Sequence, residues 1–148
     1  MRDFEIFFHE YPAILGSDAA GEVAAVGPNV SDFSFGDRVF FQRIIRTYDL
    51  STFQQYTKLD AALVAKTPSN FNDDQASGIM LASLAALSAF YQKIGHGLPA
   101  PWENSGCRVG DDAAVVIFGG SSSVGQYAIQ FARLSGFTKI ITNRALHT

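Results

Sequence analysis

The chain has 148 residues, close to the size of one globular domain at about 150 residues each, and its 47% hydrophobic content excludes a disordered tail. A formal net charge of −3 gives no basic face for nucleic acid. The single cysteine, Cys107, excludes an internal disulfide and any multi-cysteine zinc site.

Residues 1–66 carry six Lys and Arg against nine Asp and Glu, whereas residues 67–148 carry five of each. The step in charge coincides with a change of pattern. Up to about Lys66 the chain reads as short strands. Residues 19–26 are small and branched, and Gly27-Pro28-Asn29 closes them with a turn signal. Gly36-Asp37 turns the chain into an apolar strand over 38–42, and residues 53–58 and 63–66 are predicted as two more. Several short strands with close turns indicate a piece of a barrel or sandwich.

Beyond Pro68 the spacing becomes helical. Asn72 is an N-cap candidate with Gln75 three residues on, a capping-box pattern, and Asp73 and Asp74 place negative charge at the positive end of the helix dipole. The predicted helix runs from 72 to about 94 and stops at Gly95-His96-Gly97. Its uncharged stretch, 76–92, contains Ser77, Ser83 and Ser88 and falls short of the roughly 20 apolar residues that span a bilayer. No basic segment followed by an apolar core opens the chain, so no signal peptide is expected. A soluble cytoplasmic protein, without membrane or nucleic-acid contacts, is the default expectation.

After a polar loop over 96–112, residues 113–118 form a continuous apolar run, as expected of a strand buried on both faces. A glycine-serine turn over 119–125 leads to a helix over 124–135, apolar at Val124, Ala128, Ile129, Phe131 and Ala132. Gly136 ends it, and residues 139–142 are the next strand. The whole is a β-α-β unit. The expected fold class is therefore α/β, with residues 1–66 a partial β-barrel and residues 67–148 a linking helix and the first β-α-β unit of a nucleotide-binding domain.

The segment Val115-Val116-Ile117-Phe118-Gly119-Gly120-Ser121-Ser122-Ser123-Val124-Gly125 carries the strongest chemical signal. A dinucleotide site needs a strand, a tight turn and a helix whose N-terminal amides face a pyrophosphate. Gly120 is assigned to the tight turn and Gly125 to close packing of helix on strand. Ser122 stands where the Gly-x-Gly-x-x-Gly pattern would place its second glycine, and its hydroxyl is expected to serve as a phosphate donor. By itself a degenerate glycine motif is weak, and its bland reading is an ordinary strand-to-helix turn. The end of the next strand is the second diagnostic. Ile141-Thr142-Asn143-Arg144 offers a cation and no acid, which favours a 2′-phosphate over a free ribose diol, hence NADPH with Arg144 facing that phosphate. The alternative is a solvated surface arginine. His147 is a further candidate contact at the adenosine-ribose end.

With these motifs in view, the chain resembles the zinc-independent quinone-reductase and enoyl-reductase branch of the medium-chain dehydrogenase/reductase superfamily. Tyr11-Pro12-Ala13-Ile14-Leu15-Gly16-Ser17-Asp18-Ala19-Ala20-Gly21-Glu22-Val23, continuing to Val26-Gly27 and Gly36-Asp37-Arg38-Val39, is similar to the GroES-like domain signature. The Gly-Gly-Ser-Ser-Ser-Val-Gly turn is similar to the trans-acting enoyl reductases that serve fungal polyketide synthases.

Zinc-dependent members carry His-Glu where this chain has Ser17-Asp18, and the four-cysteine structural cluster is absent; His9, His96 and His147 are scattered. No metal is expected, and Asp18 is expected to make a structural hydrogen bond. Without a metal, a conjugated acceptor is the better substrate, because hydride can add at a carbon remote from the oxygen and the charge spreads over an enolate or phenolate.

The resemblance thus implies hydride transfer from NADPH to an activated C=C bond or a quinone. Its implied cofactor residues are Gly120, Ser121, Ser122, Ser123, Val124, Gly125, Asn143, Arg144 and His147. Leu81, Ala82 and Ser83 are its implied substrate contacts, and no residue is assigned as proton donor. Family members are more than twice as long, so the chain is expected to be a fragment, with apolar surface left bare on its parallel strands. Two further readings stay open. One is an inactive fragment that acts only through protein contact, for instance with a full-length homologue, or a truncated reading of a longer gene; association with a polyketide synthase is a separate expectation of the resemblance. The other, a methyltransferase with a similar turn, leaves the 16–27 signature without a place.

Overall fold

The computed structural model describes residues 12–43 and 50–143. The chain divides into two compact units, Met1–Leu81 and Ala82–Thr148.

In the first unit, β1 (Asp18–Glu22) pairs antiparallel with β2 (Arg38–Gln42), and β2 pairs antiparallel with β3 (Val64–Lys66). Ala19 lies opposite Phe41, Gly21 opposite Val39, and Val64 opposite Phe41, so these five share one face. Val39 and Phe41 are buried there. The same face, with Val23, Val30, Phe33 and Leu59, bounds an apolar cleft of about 530 Å³. The predicted turn at Gly36-Asp37 is present: Gly36 has φ +83°, and the Asp37 carboxylate accepts from the Ser34 N–H at 2.9 Å.

Residues 53–58 are not a strand. Local bonds take up the backbone here: the Gln54 N–H donates to Thr52 O at 2.8 Å and its side-chain amide to Ser51 O at 2.7 Å. Phe53 and Tyr56, which suggested a strand, are exposed.

The predicted capping box is formed. The Gln75 N–H donates to Asn72 Oδ1 at 2.8 Å, and the Asn72 N–H to Gln75 Oε1 at 3.1 Å. The helix it opens, α1 (Asp73–Ala76), is only one turn long, and α2 (Met80–Tyr91) follows it. The single helix expected over 72–94 is therefore broken. Gly78 and Ile79 donate to the carbonyls three residues back, and glycine weakens a helix at that point. The Asp18 carboxylate then supplies an acceptor for the Leu81 N–H in the first turn of α2, at 3.1 and 3.2 Å.

The expected boundary at Lys66 and the division at Leu81 differ for a related reason. Arg38 of β2 donates to Phe71 O at 2.9 Å and pairs with Asp73 at 2.6 Å, which ties residues 71–73 to the sheet. Asp18 of β1 does the same for Leu81.

In the second unit, β4 (Ala114–Ile117), α3 (Ser123–Leu134) and β5 (Lys139–Thr142) form a β-α-β unit with the two strands parallel. Val115, Ile117 and Ile140 face α3, and Ile117 joins Ala86, Phe90, Ala128 and Ala132 in the core. On the opposite face Val116, Phe118 and Ile141 are 54%, 82% and 59% exposed. The expected bare apolar surface is thus confined to one face. The Tyr91 hydroxyl lies 2.8 Å from the buried Ser135 hydroxyl, which joins the end of α2 to the end of α3.

Candidate functional site

The turn between β4 and α3 is built from three glycines with three different reasons to be glycine. Gly119 has φ +74°, and it, rather than Gly120, makes the left-handed turn expected of the motif. At Gly120 a Cβ would meet the Thr142 side chain of β5, with Thr142 Cβ at 3.0 Å. At Gly125 it would meet backbone, Gly119 O and Gly120 Cα, the latter at 2.7 Å. The first turn of α3 therefore lies directly against the turn.

Ser122 is the N-cap of α3: its hydroxyl oxygen accepts from the Gly125 N–H at 3.1 Å and its proton goes to Gly119 O at 2.8 Å. The hydroxyl expected to meet a phosphate is engaged within the turn in this structure. The end of β5 takes two further amides. The Gly119 N–H donates to Asn143 Oδ1 and the Gly120 N–H to Asn143 O, both at 3.0 Å. The Thr142 hydroxyl donates to Ile117 O at 2.7 Å. Gly119 and Thr142 were missed in the sequence. The paired glycine after an apolar run was a signal for the first, whereas nothing local marks the second.

The Ser122 N–H goes to Gly119 O and the Gln126 N–H to Ser122 O, both at 2.9 Å. Among the described residues, the amides of Ser121, Ser123 and Val124 are left without an acceptor. They sit at the positive end of a 12-residue helix that has no acid in its first turn. This donor set fits a phosphate group.

Arg144 and His147 lie outside the described residues, as do His9 and Tyr11. Leu81 is exposed, while Ala82 and Ser83 beside it in α2 are partly buried. Asp18 makes the structural hydrogen bond expected of it. Burial pushes its carboxyl above the ordinary aspartate range, and the Leu81 N–H opposes that shift. Among the described residues no three His, Cys, Asp or Glu side chains are gathered to hold a metal ion. None of their helices is long and apolar enough to cross a membrane.

Residues 1–69 match the alcohol dehydrogenase GroES-like domain. Dehydrogenase pigH of Monascus ruber is 39% identical over 138 residues, covering 90% of this chain and 37% of its own length. Trans-enoyl reductase himH of Aspergillus japonicus is 36% identical over 148 residues, covering 96% and 41%. Among solved structures, an alcohol dehydrogenase superfamily protein from Novosphingobium aromaticivorans superposes with a TM-score of 0.75 at 31% identity, over 93% of this chain and 38% of its own. Residues 1–69 thus form a GroES-like domain of the alcohol dehydrogenase kind, and over most of its length the chain is similar to dehydrogenases and reductases. It spans about two-fifths of the length of the curated relatives it matches.

Proposed function

We propose that this chain is part of a cytoplasmic, NADPH-dependent, zinc-independent reductase acting on an activated C=C bond, in an enoyl thioester or enone, or on a quinone. The observation that carries the reading is the set of open amides at Ser121, Ser123 and Val124, at the head of α3 in a Rossmann-type β-α-β unit. NADPH, when bound, supplies the hydride. The chain's own residues bind and orient: the three amides hold the pyrophosphate, and Arg144 faces the 2′-phosphate beside Asn143 and His147. Leu81, Ala82 and Ser83 contact the substrate.

Zinc independence is supported by Ser17-Asp18 at the position of the His-Glu pair, with the Asp18 carboxylate engaged on Leu81. An enoyl acceptor is in keeping with the relative named a trans-enoyl reductase. The test is NADPH consumption by the purified chain with an enoyl thioester and with a simple quinone. Turnover that persists in a chelator supports the reading. Turnover that a chelator abolishes, or that needs an alcohol or ketone instead, contradicts it.

The bare face at Val116, Phe118 and Ile141 favours a second reading, an inactive piece that acts by contact with a longer homologue. Co-purification of the two without turnover supports it, and a monomer by light scattering that consumes NADPH removes it.

A further inference from the structure

We propose that Asn143 is a positioning residue that latches the turn and decides which of its amides face the cofactor; the proposal rests on the nicotinamide-cofactor reading above. A backbone N–H can only donate, so the Asn143 atom 3.0 Å from Gly119 N is the side-chain carbonyl oxygen. The backbone carbonyl of the same residue takes the Gly120 N–H at 3.0 Å. One residue at the end of β5 thus holds two consecutive amides of the β4–α3 turn. It holds the first of them at the left-handed Gly119, where the backbone is most easily re-aimed.

Two consequences follow from the geometry. Gly119 and Gly120 are withdrawn from any phosphate, so the ligand is met by Ser121, Ser123 and Val124. The turn is also registered against β5, the strand that leads to Arg144. Aspartate keeps the acceptor oxygen and alanine removes it, so the two substitutions separate the latch from the amide.

The test combines cofactor titration with amide hydrogen exchange at Gly119 in the cofactor-free chain. Asn143→Ala is expected to weaken NADPH and NADH binding together by roughly three- to tenfold, the worth of one hydrogen bond, and to speed exchange at Gly119. Asn143→Asp is expected to keep exchange at Gly119 slow, and it serves as the folding control. Weaker binding in Asn143→Ala with unchanged exchange at Gly119 would assign Asn143 to direct ligand contact and overturn the latch. Equal binding by the wild type and Asn143→Ala also overturns it. Failure of the unmodified chain to bind either cofactor removes the cofactor reading, and this role with it.

Discussion

The Thr142 side chain occupies the space that any side chain at Gly120 would need. Its Cβ and Cγ2 lie 3.0 and 3.1 Å from the ideal Cβ position of Gly120, and its hydroxyl is closer still. That hydroxyl is also bound to Ile117 O at the end of β4. The relationship locks the turn between two parallel strands, and it explains a glycine that is not needed for a positive φ.

Gly120→Ala is therefore expected to destabilise the second unit by about 1–3 kcal/mol through overpacking. In a Thr142→Ala background the cost falls, because the hydroxyl and Cγ2 are gone while the Cβ remains. Gly125→Ala meets backbone atoms, which cannot rotate away, and no single substitution is expected to relieve it. Denaturant melts of the single and double variants measure the coupling, and strict additivity would contradict it.

How much of this was legible in the sequence depends on whether the deciding contact is local. The β4–α3–β5 unit was placed to within a residue or so, because an apolar run, a glycine pair and a helical stripe are all short-range patterns. The capping box at Asn72 and Gln75 was legible for the same reason. The break at Gly78 was not, because part of its cause is the Asp18 carboxylate arriving from 63 residues away. The first unit reaches to Leu81 through Arg38 on Asp73, another pairing that no local window contains. The glycine-serine motif marked the β4–α3 turn, which the structure forms. The division of labour within it, with Ser122 as cap and Asn143 on Gly119, depends on hydrogen bonds that the spacing does not specify.

The raised pKa of Asp18 gives a pH signature. Burial is the larger cause and opposes ionisation, so the folded state holds this proton to higher pH than the unfolded state does. Its contribution to stability is fully present below the ordinary aspartate value and is lost as pH rises through the raised folded value. Asp18→Asn keeps an acceptor for the Leu81 N–H and removes the titration. Relative to the wild type, the Asp18→Asn protein should become more stable as pH rises through that window. Thermal melts between acid and neutral pH measure this, and parallel curves would contradict it.

Tyr91→Phe should destabilise the second unit by about 1–2 kcal/mol. It removes the partner of the fully buried Ser135 hydroxyl at 2.8 Å and the donor to Phe131 O at 3.2 Å. The phenylalanine ring preserves the edge-on contact with Phe131, so the loss isolates the hydroxyl. Urea unfolding gives the number, and a change within about 0.5 kcal/mol would mean that the Ser135 hydroxyl finds another partner.

The central claim is that the head of α3 receives a nicotinamide dinucleotide bearing a 2′-phosphate. A fluorescence titration of the purified chain with NADPH, with NADH as the control, tests it most directly. Saturable binding with a clear NADPH preference is expected, and that preference should fall in an Arg144→Ala variant while NADH binding stays unchanged. Equal affinity for the two cofactors would contradict the assignment of Arg144, and a folded chain that binds neither would contradict the site.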